Sequence, residues 1–273
     1  MRDSNSIQLV LPMAGLGSRF TQAGYTVPKP LLDIHGVPMF ELVIANLVTP
    51  AVGRLILIIP SAWGLAERMQ ALEAALKIEV IVVEVSDLTD GPAGSVERAE
   101  KYLNPDLPVV TANSDQYLDA DLFGFYNSVS DPMNAGVILA MEDSDPKWSY
   151  ARLDEEGRLV EVREKVVISN LATVGVYGFT SASIMFDAFR KMRDDGGSVN
   201  GEYYVAPAYN YLLSEEGGGV VVTNLGPVGR VMHGLGIPVD YENFLKSGLS
   251  VEAARKANSV FNPVSNPDHL PQG

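Results

Sequence analysis

Leu9-Val10-Leu11-Pro12-Met13-Ala14-Gly15-Leu16-Gly17-Ser18-Arg19-Phe20, followed by Val27-Pro28-Lys29-Pro30-Leu31, is the stretch on which the reading of this chain turns. The apolar run Ile7–Leu11 does not alternate, as expected for a strand buried on both faces of a parallel sheet. From Pro12 to Pro38 there is little helix signal, and the Gly and Pro content describes a shaped surface loop over a site. Glycines let backbone N–H groups approach a phosphate closely, because no Cβ stands in the way. Arg19 and Lys29 add positive charge from either side, and the flanking prolines stiffen Lys29. The stretch reads as a polyphosphate loop. It lacks the third glycine of a dinucleotide fingerprint, and Leu55–Ile59 ends in Pro60-Ser61 rather than an acid. No Gly-Lys-Ser/Thr follows, so it is not a Walker loop either.

The chain has 273 residues, 47% hydrophobic and 20% charged, enough for one large α/β domain or two small ones. Its net charge of −14 leaves no basic patch for nucleic acid. An acidic protein that binds an anion must gather its few cations locally, which makes Arg19, Lys29 and Lys165 informative. The absence of cysteine excludes thiol catalysis, disulfides and Cys-ligated zinc. Histidines 35, 233 and 269 show no metal-ligand spacing. The N-terminal residues do not have the pattern of a secretory leader. No run approaches the ~18–20 apolar residues of a membrane span. The expectation is a soluble cytoplasmic protein without a membrane partner.

Further along, helices are expected at Met39–Leu47, Ala66–Leu76 and roughly Val96–Leu103, the last with Ser95 as N-cap. Strands are expected at Leu55–Ile59, Ile78–Val85 and Pro108–Ala112. Strand and helix thus alternate up to Asp115, which implies a parallel sheet covered on both faces, with ligands at the carboxyl ends of its strands. The glycine loop, the turn Gly91-Pro92-Ala93-Gly94-Ser95 and Asn113-Ser114-Asp115 all fall on that edge. Beyond it come a strand at Val137–Met141, a hairpin of Tyr150–Leu153 with Leu159–Val162, and a strand at Thr173–Phe179. Helices follow at Ile184–Met192 and Glu202–Leu213, strands at Val220–Asn224 and Arg230–His233, and helices at Val239–Lys246 and Val251–Ala257. The expected class is α/β, a Rossmann-like mixed but mainly parallel sheet with an inserted antiparallel hairpin or lid.

Asp115 lies just past a buried strand, where a carboxylate can hold Mg²⁺ beside phosphates or cap a helix. Asp119 and Asp121 are better placed as caps. Glu164-Lys165 closes the hairpin, either as a solvated pair or, if the hairpin folds over the active edge, as a contact to a second phosphate and to hydroxyls. Glu202-Tyr203-Tyr204 suits a polar organic ligand or a core-anchored helix start.

These residues resemble the nucleotidyltransferases that activate sugar 1-phosphates and similar phosphorylated molecules. Gly15-Leu16-Gly17-Ser18-Arg19-Phe20 with Pro28-Lys29-Pro30-Leu31 carries the resemblance, and Gly91–Ser95, Asp115, Glu164-Lys165 and Gly175-Val176-Tyr177 follow in the family's order. The likeness covers about residues 7–250. Met13-Ala14-Gly15 and Ala112-Asn113-Ser114-Asp115-Gln116 are similar to the capsule and surface-polysaccharide branch, with its cytidylyltransferases. The resemblance implies the fold of the nucleotide-diphospho-sugar transferases in one domain, residues 1–258. Residues 1–116 would form the nucleotide-binding half and 117–258 the acceptor half, before a loose tail at 259–273. It also implies Mg²⁺ on Asp115 and catalysis by Arg19, Lys29 and Lys165. Nucleotide contacts would come from Met13, Ala14, Gly15, Gly17, Ser18, Gly91, Pro92, Gly94, Ser95 and Asn113. Acceptor contacts would come from Glu164, Gly175, Glu202 and Tyr203.

One departure stands out. Sugar-activating members place a second acidic metal ligand ahead of a Gly-Thr-type turn, and the matching Val231–Pro238 has none, Asp240 being nearest. The expected reaction is attack of an acceptor phosphate on the α-phosphorus of a nucleoside triphosphate, CTP being favoured, with pyrophosphate leaving. The alternatives are a glycosyltransferase of similar fold and a catalytically inactive nucleotide sensor. A homo-oligomer is left open.

Overall fold

The computed structural model describes residues 6–15, 17–63, 66–213 and 219–261. The chain runs through β1 (Ile7–Pro12), α1 (Ser18–Gln22), a 3-10 turn at Lys29–Leu31, β2 (Asp33–Ile34), β3 (Val37–Pro38), α2 (Met39–Leu47) and β4 (Val52–Pro60). Next come α3 (Ala66–Leu76), β5 (Glu79–Val85), α4 (Pro92–Glu97), β6 (Val109–Ala112), β7 (Gln116–Leu118), α5 (Phe123–Ser130) and β8 (Gly136–Glu142). Then follow β9 (Ser149–Leu153), β10 (Leu159–Glu164), β11 (Leu171–Phe179), α6 (Ala182–Asp194) and a 3-10 segment at Ala206–Leu212. The last described elements are β12 (Val220–Pro227), β13 (Met232–Gly234), α7 (Pro238–Leu245) and α8 (Gly248–Phe261).

The main sheet has the order β10-β9-β11-β6-β1-β4-β5, with β8 pairing both β11 and β12. β6, β1, β4 and β5 are mutually parallel, and β11 runs antiparallel to β6 and β8. The continuous apolar runs are buried on both faces, as their lack of alternation implied. Leu9 and Leu11 of β1 and Leu55 and Leu57 of β4 pack with α2 and α5. Val10, Ile56 and Ile58, one residue out of phase, pack with α4 and α6 on the other face. A third cluster joins Phe20 of α1 to Leu32, Ile34, Tyr241 and Phe244. Phe20 meets Tyr25 and Tyr241 edge-on at 5.2 and 6.0 Å, so the glycine loop is pinned downstream by α7.

β11 serves two halves of the sheet. Val176–Phe179 lie beside β6, whereas Ala172 lies beside Tyr150 of β9. The change of partner falls at Gly175, whose φ is 71° and whose carbonyl accepts the Asn113 N–H at 2.9 Å. The hairpin of β9 and β10 thereby joins the main sheet.

Several local expectations are corrected. A one-and-a-half-turn helix starts at Ser18, inside the segment expected to be loop. α4 begins at Pro92, so Ser95 lies within the helix rather than capping it, and Gly91 takes the cap position. The stretch expected to be a helix to Leu103 ends at Glu97 and continues only as a 3-10 turn at Glu100–Tyr102. Glu202–Tyr204 are outside any helix, and the segment after them is 3-10 around Pro207. Residues 259–261, expected in a loose tail, complete α8. The rest of that tail, like Leu16, lies outside the described residues.

Candidate active site

A cavity of about 490 Å³ opens where the carboxyl ends of β1, β5 and β6 meet. Pro12, Met13, Ala14, Gly15, Gly17, Ser18, Lys29 and Pro30 form one wall. Leu88, Thr89, Gly91, Pro92 and Ser95 form a second, and Asn113, Ser114, Asp115, Glu202 and Tyr204 close it. Its volume lies in the range of small-molecule and cofactor sites. Gly17 has φ 59°, and a Cβ there would sit 3.3 Å from the Lys29 Cβ, so only glycine lets the loop lie this close to the lysine. The Ser95 and Thr89 hydroxyls share a 2.5 Å hydrogen bond at the helix start. Backbone bonds from Tyr203 N to Asp90 O, 2.7 Å, and from Ala93 N to Tyr203 O, 3.0 Å, tie the Glu202–Tyr204 strip to the same wall.

A second cavity, about 530 Å³, adjoins the first. Gly17, Ser18, Lys29, Asn113 and Asp115 line both. Arg19, Gln116, Lys147, Trp148, Lys165, Met232, Gly234, Gly236, Ile237 and Asp240 line the second alone. Lys29 Nζ donates to Asp115 Oδ2 at 2.7 Å on this seam, with both side chains largely buried. Four cations, Arg19, Lys29, Lys147 and Lys165, therefore face two carboxylates, Asp115 and Asp240, in a chain of net charge −14.

Lys165 directly follows β10 with φ 56°, and its N–H still bonds the Trp148 carbonyl at 3.0 Å. Its ammonium donates to the Tyr204 hydroxyl at 2.6 Å, and that hydroxyl donates to Glu202. Burial opposes the charge on Lys165, but the Tyr204 bond and the carboxylates of Glu164 and Glu202 outweigh it, so its pKa lies above the usual lysine value. Glu164 is buried and accepts from the Ser149 hydroxyl. Desolvation pushes its pKa up, against the pull of Ser149 and Lys165.

The parallel-sheet edge thus supplies two adjoining cavities, with a lysine and a carboxylate on the seam between them. Residues 9–166 match the family described as MobA-like NTP transferase domain. The chain belongs to that family. A bifunctional protein GlmU of Methanococcus aeolicus is 26% identical over 208 residues, 76% of this chain and 47% of the relative. A 2-aminoethylphosphonate cytidylyltransferase of Lancefieldella rimae is 42% identical over 94 residues, 34% of this chain and 37% of the relative. The chain spans about half the length of the first of these curated relatives. Among solved structures, a nucleoside-diphosphate-sugar pyrophosphorylase from Vibrio cholerae RC9 superposes with a TM-score of 0.75 at 25% identity, covering 88% of this chain and 100% of that one. The inositol-1-phosphate CTP transferase from T. maritima shares the fold, with a TM-score of 0.68 at 18% identity and coverage of 94% and 98%.

In this NTP transferase domain most of the residues singled out in the sequence lie at the cavity walls. Four do not. Gly94 is packed under the Asp90–Arg193 pair, and a Cβ there would collide with the Asp90 carboxylate. Gly175 lies behind the wall, where a Cβ would collide with the Asn113 amide and reach within 2.9 Å of Gln116 Oε1. The Tyr203 ring stacks 4.2 Å from the Arg193 guanidinium, and its neighbour Tyr204 lines the cavity instead. Glu164 is buried behind Lys165. These four support the walls rather than form them. Conversely, Leu88, Thr89, Gln116, Lys147, Trp148, Met232 and Asp240 were missed as site residues. Gln116 was visible as the residue after Asp115, and Asp240 as the acid nearest Gly234. Lys147, Trp148 and Met232 gave no local signal, because only the pairing of β7 with β13 and the turn before β9 bring them to the site.

Proposed function

We propose that the chain is a pyrophosphate-releasing nucleotidyltransferase that joins a nucleoside triphosphate to a sugar 1-phosphate or similar phosphorylated small molecule. The observation that carries this reading is the seam. A nucleotide in the first cavity and a phosphorylated acceptor in the second meet at Lys29 and Asp115, so their phosphates are brought together without a protein nucleophile. Lys29 supplies charge to the reacting phosphate, Arg19 to the departing one, and Lys165, held by Tyr204, to the attacking one. Family membership and the pyrophosphorylase neighbour support the reaction class. CTP is the favoured nucleotide, supported by the cytidylyltransferase and CTP transferase among the relatives.

The donor set fits Mg²⁺. Asp115 offers hard oxygen ligands on the seam, with Asp240 on the same cavity. Among the described residues no three Asp, Glu, His or Cys side chains group as a metal site. Mg²⁺ commonly takes one or two carboxylates and completes its shell with water and substrate phosphates. Asp115 would hold such an ion, which supplies charge neutralisation at the phosphates.

Pyrophosphate release, measured for the four NTPs with Mg²⁺ and a panel of phosphorylated acceptors, tests the reading. At least one pair is expected to turn over, and Lys29→Ala to slow it by about 10²–10³-fold. No release from any pair, or an unimpaired Lys29→Ala enzyme, would sink it.

A further inference from the structure

We propose that Gln116 is the specificity-determining residue for the acceptor, and that it reads a hydroxyl of the acceptor body. The inference rests on the nucleotidyltransferase reading and deepens it. Gln116 is 4% exposed and lines the second cavity. Its Nε2 is one of two buried side-chain atoms among the described residues with no hydrogen-bond partner; the other, His233 Nε2, belongs to a residue that lines neither cavity. As the side chain stands, Nε2 is closed to solvent, and a half-turn of the amide exchanges it with Oε1. Buried polar groups are almost always paired, so an unpaired amide in a cavity wall points to a partner that arrives with the ligand.

The surroundings hold this amide in place. The backbone of Gln116 is fixed by pairing with Gly234 in β13, and the preceding carbonyl of Asp115 accepts from Leu235 N–H at 2.7 Å. Gly175, lacking a Cβ, makes room for the Gln116 amide beside that of Asn113. An amide can offer a donor or an acceptor by a half-turn of its last torsion, and a hydroxyl can answer either. An ammonium group can only donate, so it answers the acceptor alone. The group that Gln116 reads is therefore a hydroxyl, which a phosphorylated sugar or cyclitol carries and an aminoalkyl phosphonate lacks.

The experiment is titration calorimetry of the full chain, wild type and Gln116→Met, with glucose, galactose, mannose and inositol 1-phosphates, and with 2-aminoethylphosphonate as the hydroxyl-free probe. At least one hydroxylated phosphate is expected to bind the wild type. Gln116→Met is expected to weaken it by about tenfold, while NTP binding and any residual affinity for the aminoalkyl phosphonate stay unchanged. Because the amide nitrogen has no partner in the free protein, the same variant is expected to keep or raise the melting temperature. Should Gln116→Met not fold, Gln116→Glu replaces it, with the preference expected to move towards the aminoalkyl phosphonate. Equal acceptor affinity in the folded variant, a lowered melting temperature with unchanged acceptor binding, or binding of the aminoalkyl phosphonate alone overturns the assignment. Gln116-dependent binding without pyrophosphate release would instead refute the nucleotidyltransferase reading and leave the assignment standing.

Discussion

At the scale of single residues, Gly175 does more than its absence of chemistry suggests. It sits where β11 changes partner, in a left-handed conformation. Its empty Cβ position is occupied by the amides of Asn113 and Gln116, both on the cavity walls. Gly175→Ala is expected to lose about 1–2 kcal/mol from the backbone alone, and more from displacing the two amides. Chemical denaturation measures the stability, and acceptor titration of the folded fraction measures the site. Because the collision is with Asn113 and Gln116, acceptor affinity is expected to fall along with stability. A variant destabilised but binding normally would show that the two amides relax independently of their site. The sequence marked Gly175 through the family resemblance but not its role, because a missing side chain acts through what fills its space.

At the scale of elements, the Glu202–Tyr204 strip links the two cavities. Tyr204 lines the first, and its hydroxyl accepts from Lys165 of the second while donating to Glu202. Tyr204→Phe removes that bond and leaves Lys165 with Glu164 at 3.7 Å. The hydroxyl and the nearby carboxylates raise the lysine pKa against burial, so removing the hydroxyl lowers it. The variant's kcat/KM is expected to fall by about threefold to tenfold, with its alkaline limb moved to lower pH; a pH–rate profile reads both. An unmoved limb would mean that Lys165 is not held through Tyr204. This strip also shows where sequence reading succeeds and stops. The helix at Met39–Leu47 was legible to the residue, because its apolar spacing and its burial agree. In sequence the strip suits either a polar ligand, with Tyr203 among the acceptor contacts, or a core-anchored helix start, yet the backbone there is extended enough for an isolated bridge, Val199 to Glu202. Successive side chains then point opposite ways, which sends Tyr203 to Arg193 and Tyr204 to the cavity. The parallel core and its loop were readable because burial and glycine chemistry are local. The wall of the second cavity was not, because β7 and β13 join residues more than a hundred positions apart.

At the scale of the whole molecule, the net charge opposes an anionic ligand while the site gathers cations for it. The chain carries −14, yet four of its cations line one cavity. A chain of this length has a radius of gyration of about 19 Å. At about 0.01 M salt the Debye length is about 30 Å, so an approaching nucleotide feels the net charge and is repelled. At about 0.15 M it is about 8 Å, and the nucleotide feels chiefly the cations around the opening. Association is therefore expected to speed up with salt, by about twofold to fivefold across that range. Dissociation is expected to speed up as well, because the contacts made at Lys29 and Arg19 are partly screened. Stopped-flow fluorescence with a labelled NTP at fixed Mg²⁺ separates the two rates. An association rate that falls steadily as salt rises would mean that the local cations govern the far field too. The net charge would then have no part in how this site meets its nucleotide.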